Sequence, residues 1–227
     1  MSKPTAVVTG ASRGIGRATA LRLAQSYDIV AVARSAGQLD TLANEVDAAG
    51  GTCRTIAMDI TDPRAVSSLA SIEAEVLVNN AGMGVLRPLL ELTRDEWIRM
   101  VDLNFNALFD VTRAVVPGMV KRRSGHIVVI GSITGRSPFA GGTCYAATKA
   151  AANSFAESLM LELRDMGVKV SVVNPGSVST TFSDRDNSSW ALAASDVAEA
   201  IASILDTPPT VLIHKMEIRT LTVPKKG

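Results

Sequence analysis

Tyr145 and Lys149 stand four residues apart, with Ser132 and then Asn104 upstream of them. A phenol and an ammonium at i and i+4 share one helix face, where the cation lowers the phenol's pKa from its ordinary value of about 10. A tyrosine tuned in this way passes a proton to or from a substrate oxygen near neutral pH. Each residue also has a plainer reading. Tyr and Lys at this spacing are commonly neighbours on a helix surface, and Ser132 after Gly131 suits a turn.

Such residues act together only if the fold gathers them. Short apolar, β-branched runs recur at Thr5 to Thr9, Ile29 to Ala33, Cys53 to Ala57, Glu75 to Asn79, His126 to Ser132, Val168 to Asn174 and Val211 to Ile218. They are continuous rather than alternating, as strands covered on both faces should be. Helical patterns lie between them. Leu39, Leu42, Ala43 and Val46 fall at i, i+3, i+4 and i+7, and Phe155, Leu159 and Leu163 continue the face of the Tyr145 helix. The alternation predicts a single-domain α/β fold over residues 1–227, a doubly wound Rossmann-type parallel sheet with helices on both faces. No fixed-period repeat, low-complexity tract or linker interrupts it. The breaks are local, at Gly50 and Gly51, Ser124 and Gly125, and Pro175 and Gly176. Ligands of doubly wound sheets bind beyond the carboxyl ends of the strands, and the chemistry-bearing motifs fall at those ends.

The first such end carries Gly10, Ser12, Arg13, Gly14, Ile15 and Gly16, a glycine-rich turn opening a helix. Glycines permit a tight turn and close backbone approach, and a helix N-terminus offers free N–H groups to a pyrophosphate. About 20 residues further on, dinucleotide folds place an acid on the ribose 2′-hydroxyl. This chain has Ala33 and then Arg34, which complements a 2′-phosphate, with Arg13 as a second positive charge. The expected cofactor is NADP(H) in preference to NAD(H). Asp59, followed by Ile60, ends the third strand, where a carboxylate can accept from an adenine amino group; capping of the helix beginning near Asp62 and Pro63 is the alternative local role for acids there. Asn79, Asn80, Ala81 and Gly82 end the fourth strand, and Asn80 reads equally as a tie between strands and as a cofactor contact.

Composition narrows the function classes. A formal charge of +1 over 227 residues implies neither a nucleic-acid groove nor an anionic membrane as partner. No apolar run approaches a signal peptide or a membrane span, and the expected location is the cytoplasm. Cys53 and Cys144 lack CxxC spacing and only two histidines accompany them, so neither a disulfide framework nor a metal site is indicated. Both cysteines read as small buried side chains. His126, at the start of a strand, reads as structural.

TGASRGIG, NNAG, Asn104, Ser132, YAATK and NPGSVST, in that order from about Thr5 to Thr180, resemble the classical short-chain dehydrogenase/reductase family. The resemblance implies a sheet of about seven strands, a nicotinamide cofactor and carbonyl/alcohol interconversion. By position, Tyr145 would be the general acid/base, Lys149 would hold the nicotinamide ribose, and Ser132 would stabilise charge developing on the substrate oxygen. Asn104 would hold a water linking the lysine to solvent. Pro175, Gly176, Val178 and Thr180 would pack on the nicotinamide. The family also commonly forms homodimers or homotetramers, using the catalytic helix, here rich in small residues from Ala146 to Ala152.

The chain departs from the family in two places. Only Thr181 to Ala194 separates the nicotinamide-binding stretch from the helix starting near Ser195 and Asp196, which predicts a short lid flanked by Phe182 and Trp190. Val211 to Val223 reads as a strand with an extended tail. Met83, Val85, Thr134, Phe139, Thr143 and Phe182 are the candidate substrate neighbours, for a small or medium carbonyl compound or alcohol. The alternative to an enzyme is a nucleotide-sensing regulatory protein of the same fold without physiological turnover. A P-loop nucleotidase is excluded, because no Lys-Ser/Thr pair follows the glycine turn.

Overall fold

The continuous apolar runs form strands because alternate side chains of each enter opposite hydrophobic layers. In the computed structural model, which describes residues 3–180, 182 and 190–222, Ala6 and Val8 of β1 (Thr5–Thr9) pack into one layer and Val7 into the other. The remaining strands are β2 (Asp28–Ala33), β3 (Cys53–Ala57), β4 (Ala74–Asn79), β5 (His126–Ile130), β6 (Lys169–Pro175) and β7 (Lys215–Ile218). They form one parallel sheet of seven strands in the order β3-β2-β1-β4-β5-β6-β7. Parallel neighbours need crossover helices, and these supply both covering layers.

On one face lie α1 (Gly14–Leu23), α2 (Ala36–Ala48) and α7 (Ala194–Leu205), burying Ala20, Leu23, Leu39, Leu42, Val46, Val197 and Ile201 against the strands. On the other lie the short α3 (Pro63–Val66), α5 (Ala107–Arg122) and α6 (Thr143–Leu163), with Val66, Val111, Val115, Ala152, Ala156 and Leu163 inside. Between α4 (Arg94–Val101) and α5, residues Asp102–Asn106 form a π-helical turn with Asn104 at its centre. The strand order reverses between β1 and β4, and the crevice at their carboxyl ends is where such sheets bind ligands.

Several boundaries differ from the sequence reading, each because of a contact with a segment distant in sequence. Beyond β5 the Gly131 N–H still donates to Val173 O at 2.8 Å, and the next N–H, of Ser132, goes to Asn174 Oδ1 at 2.8 Å rather than to a backbone carbonyl. The predicted strand from Val211 shrinks to Lys215–Ile218. The carbonyls of Val211 and Ile213 accept from Lys169 Nζ and Ser171 Oγ, so that stretch is held by side chains instead of a ladder; Val223 lies outside the described residues. Cys144 is buried as expected, whereas Cys53, near the edge of the sheet, is only half-buried. No described helix is long and apolar enough to cross a membrane, and no group of three His, Cys, Asp or Glu among the described residues can hold a metal ion.

His126 is buried and its Nε2 lies 2.8 Å from Ser171 Oγ, whose own hydrogen goes to the Ile213 carbonyl. Ser171 must therefore accept, which assigns the proton to Nε2. Burial, with a smaller contribution from Lys169, lowers the imidazole pKa to about 4. A depressed histidine binds its proton in the unfolded chain first, so stability is lost as pH falls from about 6.5 to about 4. Denaturant unfolding across that range should show wild type losing about 3 kcal/mol more than His126→Gln. Parallel pH profiles for the two proteins would refute this role.

Candidate active site

The turn after β1 needs its glycines. Gly10 and Gly14 adopt φ of +67° and +55°, a region that side chains disfavour. A Cβ on Gly10 would also fall 2.8 Å from Asn80 Nδ2. Gly16 differs: its Cβ would strike Gly10 O and Asn80 Nδ2, both at 2.4 Å. Gly16 faces inward, toward Asn80 and the carbonyl of Gly10, and does not line the cavity. Thr9, the first residue of TGASRGIG, fixes this turn. Its hydroxyl accepts from the N–H groups of Asn80 and Ala81 at 3.1 and 3.2 Å and donates to Val78 O. Asn80 Nδ2 donates to the carbonyls of Thr9 and Gly10, so its amide joins β4 to the turn, while the residue also borders the cavity. Neither a capping side chain nor an acid competes for the N-terminus of α1.

That turn borders a cavity of about 790 Å³, well within the range of ligand sites. One end is walled by Arg13, Arg34, Ser35, Gln38 and Asp59, the other by Ser132, Tyr145, Thr180, Phe182 and Trp190. Ile60, Ala81, Gly82, Lys149, Pro175, Gly176 and Val178 lie between them, together with Gly10, Ser12, Gly14 and Ile15. Gln38 and Ser35 were missed by the sequence reading, although the turn into α2 following Arg34 pointed to that neighbourhood. The Asp59 carboxylate accepts from the Thr61 N–H at 3.0 Å and from its hydroxyl at 2.8 Å. Those bonds, with Arg34 as a lesser influence, hold it below the usual carboxylate range. The capping acid is Asp62, which accepts from Arg64 N with Pro63 at the first helical position. The cavity's length, its glycine wall and its uncapped helix N-terminus fit a dinucleotide, with the two arginines at one end suited to a phosphate.

At the other end, α6 brings its N-terminal turn against the end of β5. Tyr145, Lys149 and Asn153 follow one another at i, i+4 and i+8. The Lys149 ammonium is buried and donates to Ile130 O at 2.7 Å, and burial lowers its pKa to about 8. Tyr145 balances differently from the sequence expectation. Burial raises its pKa above the ordinary value, and the opposing influence comes from the Ser132 hydroxyl rather than the Lys149 charge. Ser132 Oγ also accepts from Thr134 N at 3.1 Å.

Asn104 is buried and does not border the large cavity. Both hydrogens of its amide are engaged, by Met83 O at 2.8 Å and Thr148 Oγ1 at 3.0 Å, and Oδ1 accepts from Met83 N. Only one lone pair of Oδ1 is left. A Cβ on Gly82 would sit 3.2 Å from that oxygen and 3.8 Å from Lys149 Nζ, so both atoms flank the same glycine. Next to them a cavity of about 10 Å³, bounded by Asn104, Ile130 and Lys149, has the size of a single water.

Of the candidate substrate neighbours, Thr134, Phe139 and Phe182 wall the cavity, while Met83, Val85 and Thr143 do not. Phe182 packs against Tyr145 with ring centroids 5.6 Å apart. Val178 and Leu192 form a bridge that brings Trp190 toward the opening. Most of the expected lid, 181 and 183–189, lies outside the described residues.

With this geometry established, comparison with known proteins is decisive. The sequence model for the short chain dehydrogenase family matches residues 4–190. The NADP-dependent 3-hydroxy acid dehydrogenase YdfG of Escherichia coli is 34% identical over 237 aligned positions, covering 95% of this chain and 94% of that one. Human retinol dehydrogenase 8 is 38% identical over 189 positions, covering 80% of this chain and 61% of that protein. Among solved structures, the closed form of a serine dehydrogenase complexed with NADP+ superposes with a TM-score of 0.91 at 32% identity, covering 98% and 97% of the two chains. An alcohol dehydrogenase from Thermococcus sibiricus complexed with 5-hydroxy-NADP gives 0.90 at 26% identity, with 99% and 100% covered. The chain belongs to the short-chain dehydrogenase/reductase family.

Asn174, the first residue of NPGSVST, was given no role by the sequence reading. Its side chain accepts the Ser132 N–H at 2.8 Å, beside Asn153, another buried amide. Asn174→Ala leaves that buried N–H unpaired and should lower unfolding free energy by about 1–3 kcal/mol. Turnover should fall by about tenfold or more as Ser132 shifts, with cofactor affinity within about twofold of wild type. Unaltered turnover would show that Ser132 is positioned without it.

Proposed function

We propose that the chain is an NADP(H)-dependent oxidoreductase that interconverts a small-molecule carbonyl compound and its alcohol, with Tyr145 as the general acid/base. The observation that carries this reading is one cavity that brings Ser132, Tyr145 and Lys149 together at one end and Arg13 and Arg34 at the other. The NADP named for the relatives supports the same cofactor here.

A nicotinamide held in the cavity would supply or accept the hydride. In the reducing direction Tyr145 would give its proton to the carbonyl oxygen as the carbon is reduced. Ser132 donates a hydrogen bond to the same oxygen as charge builds on it. Tyr145 lies in the first turn of α6, where the helix dipole favours developing negative charge. Lys149 carries three N–H donors and gives one to Ile130 O, leaving others for a ribose hydroxyl. A water in the small cavity beside Asn104 and Lys149 would return the proton from solvent through the lysine. Pro175, Gly176, Val178 and Thr180 form the wall for the nicotinamide, and Arg34 with Arg13, Ser35 and Gln38 the site for the 2′-phosphate. A homodimer or homotetramer is the assembly implied by the family.

Tyr145→Phe should keep NADPH affinity within about twofold while turnover falls by about 10³-fold or more; undiminished turnover sinks the assignment. Arg34→Asp should lower the NADPH to NADH ratio of kcat/KM by on the order of 100-fold, and an unchanged ratio counts against the phosphate site. Tight NADPH binding with no turnover of any carbonyl or alcohol would instead favour a cofactor-sensing regulator.

A further inference from the structure

Neither cofactor binding nor proton transfer gives Asn153 a task, although it follows Tyr145 and Lys149 along α6. It is 5% exposed, and its amide lies between the two glycines that bracket the Ser132 loop. A Cβ on Gly131 would sit 2.4 Å from Asn153 Oδ1, and one on Gly135 2.7 Å from its Nδ2. The loop is thus closed around this side chain, with bare backbone on either side of it.

Asn174 reaches the same place from the sheet. It alternates with Val170 and Val172, which enter the layer that α6 covers, so its side chain points toward that helix. Its Oδ1 lies 2.2 Å from where Gly131 would carry a Cβ, which makes the two amides neighbours across one glycine. That oxygen accepts the Ser132 N–H at 2.8 Å. The other side of the amide, Nδ2, must then find its own acceptor, because turning the amide over would set an NH₂ against the N–H.

Among the described residues, Asn174 Nδ2 and both polar atoms of Asn153 are buried with no hydrogen bond. Polar groups so enclosed cost free energy unless they are paired, and the large majority in folded proteins have a partner. Each of these amides has the other beside it at Gly131. If filling space were the only task, a leucine would do it without burying polar atoms.

We propose that Asn153 is a positioning residue for Ser132: its amide pairs with that of Asn174 and holds it in the orientation that receives the Ser132 N–H, which aims the Ser132 hydroxyl at the substrate oxygen. The effect on turnover rests on the oxidoreductase reading above; the amide pair does not. Amide hydrogen exchange in the NADPH-bound protein, read residue by residue by NMR, tests the pair. Asn153→Leu should speed exchange at Ser132 at least about tenfold and leave Gly131, whose N–H donates to Val173 O at 2.8 Å, within about twofold of wild type. For a carbonyl compound that the wild type reduces, kcat should fall about tenfold, with KM and NADPH affinity within about twofold. Added to Asn174→Ala, the substitution should lower kcat by no more than about twofold further, since both act on one contact. Should Asn153→Leu not fold, Asn153→Ala is read in the same way. Unchanged exchange at Ser132, equal acceleration at Ser132 and Gly131, a wild-type kcat, or additive losses in the double variant overturn the proposal. Faster exchange at Ser132 alone, in a protein that turns over no carbonyl or alcohol even as wild type, leaves the amide pair standing and defeats the oxidoreductase reading, so the two failures are distinguishable.

Discussion

A buried ammonium must have an acceptor, and the site depends on how this one is met. Lys149 is enclosed by the packing of α6 on the sheet and donates to the carbonyl of Ile130, the last residue of β5. That single bond fixes the register of α6 against the strand end. Tyr145, one turn earlier, is thereby placed beside Ser132, two residues beyond Ile130. Asn174 completes the arrangement from the neighbouring strand by holding the Ser132 N–H. Three elements distant in sequence thus converge on one hydroxyl pair, and a shift in any of them separates the phenol from the serine.

The cofactor end rests on a different constraint, which is close approach. The end of β4 lies so near the turn after β1 that glycine is required at 10 and 16, and Thr9 and Asn80 satisfy the polar groups brought together there. Because the sheet reverses its strand order at that point, the helices leave a crevice open instead of filling it. The wall that results is backbone at its centre, charged where Arg13 and Arg34 stand and aromatic where Phe182 stands. One cavity therefore carries positive charge at one end and aromatic surface at the other.

Much of this was legible in the sequence because it follows from local rules. Strands buried on both faces read as continuous β-branched runs, and β1 and β3 begin and end where those runs do. The family order of TGASRGIG, NNAG, Ser132 and YAATK carried the site, since each motif ends a strand or opens a helix. What was not legible depends on contacts between distant segments. Nothing in the sequence near Gly16 distinguishes a glycine that faces a ligand from one that faces Asn80. The Asn174 contact joins two strand ends, and the balance of charges at Tyr145 depends on where Lys149 finds its acceptor. The shortened β7 has the same origin, because Lys169 and Ser171 capture carbonyls that a ladder would otherwise use.

The central claim is that hydride transfer and proton transfer from Tyr145 occur at one substrate, in one cavity. Isotope effects on kcat/KM address it most directly, using NADPH deuterated at the transferred C4 position, alone and in D₂O, with any carbonyl compound the protein reduces as substrate. The account predicts that deuterated NADPH slows turnover and that D₂O slows it further, both effects appearing in the same step. A normal effect from deuterated NADPH with no solvent effect at any pH would contradict it, because the proton would then not be moving with the hydride.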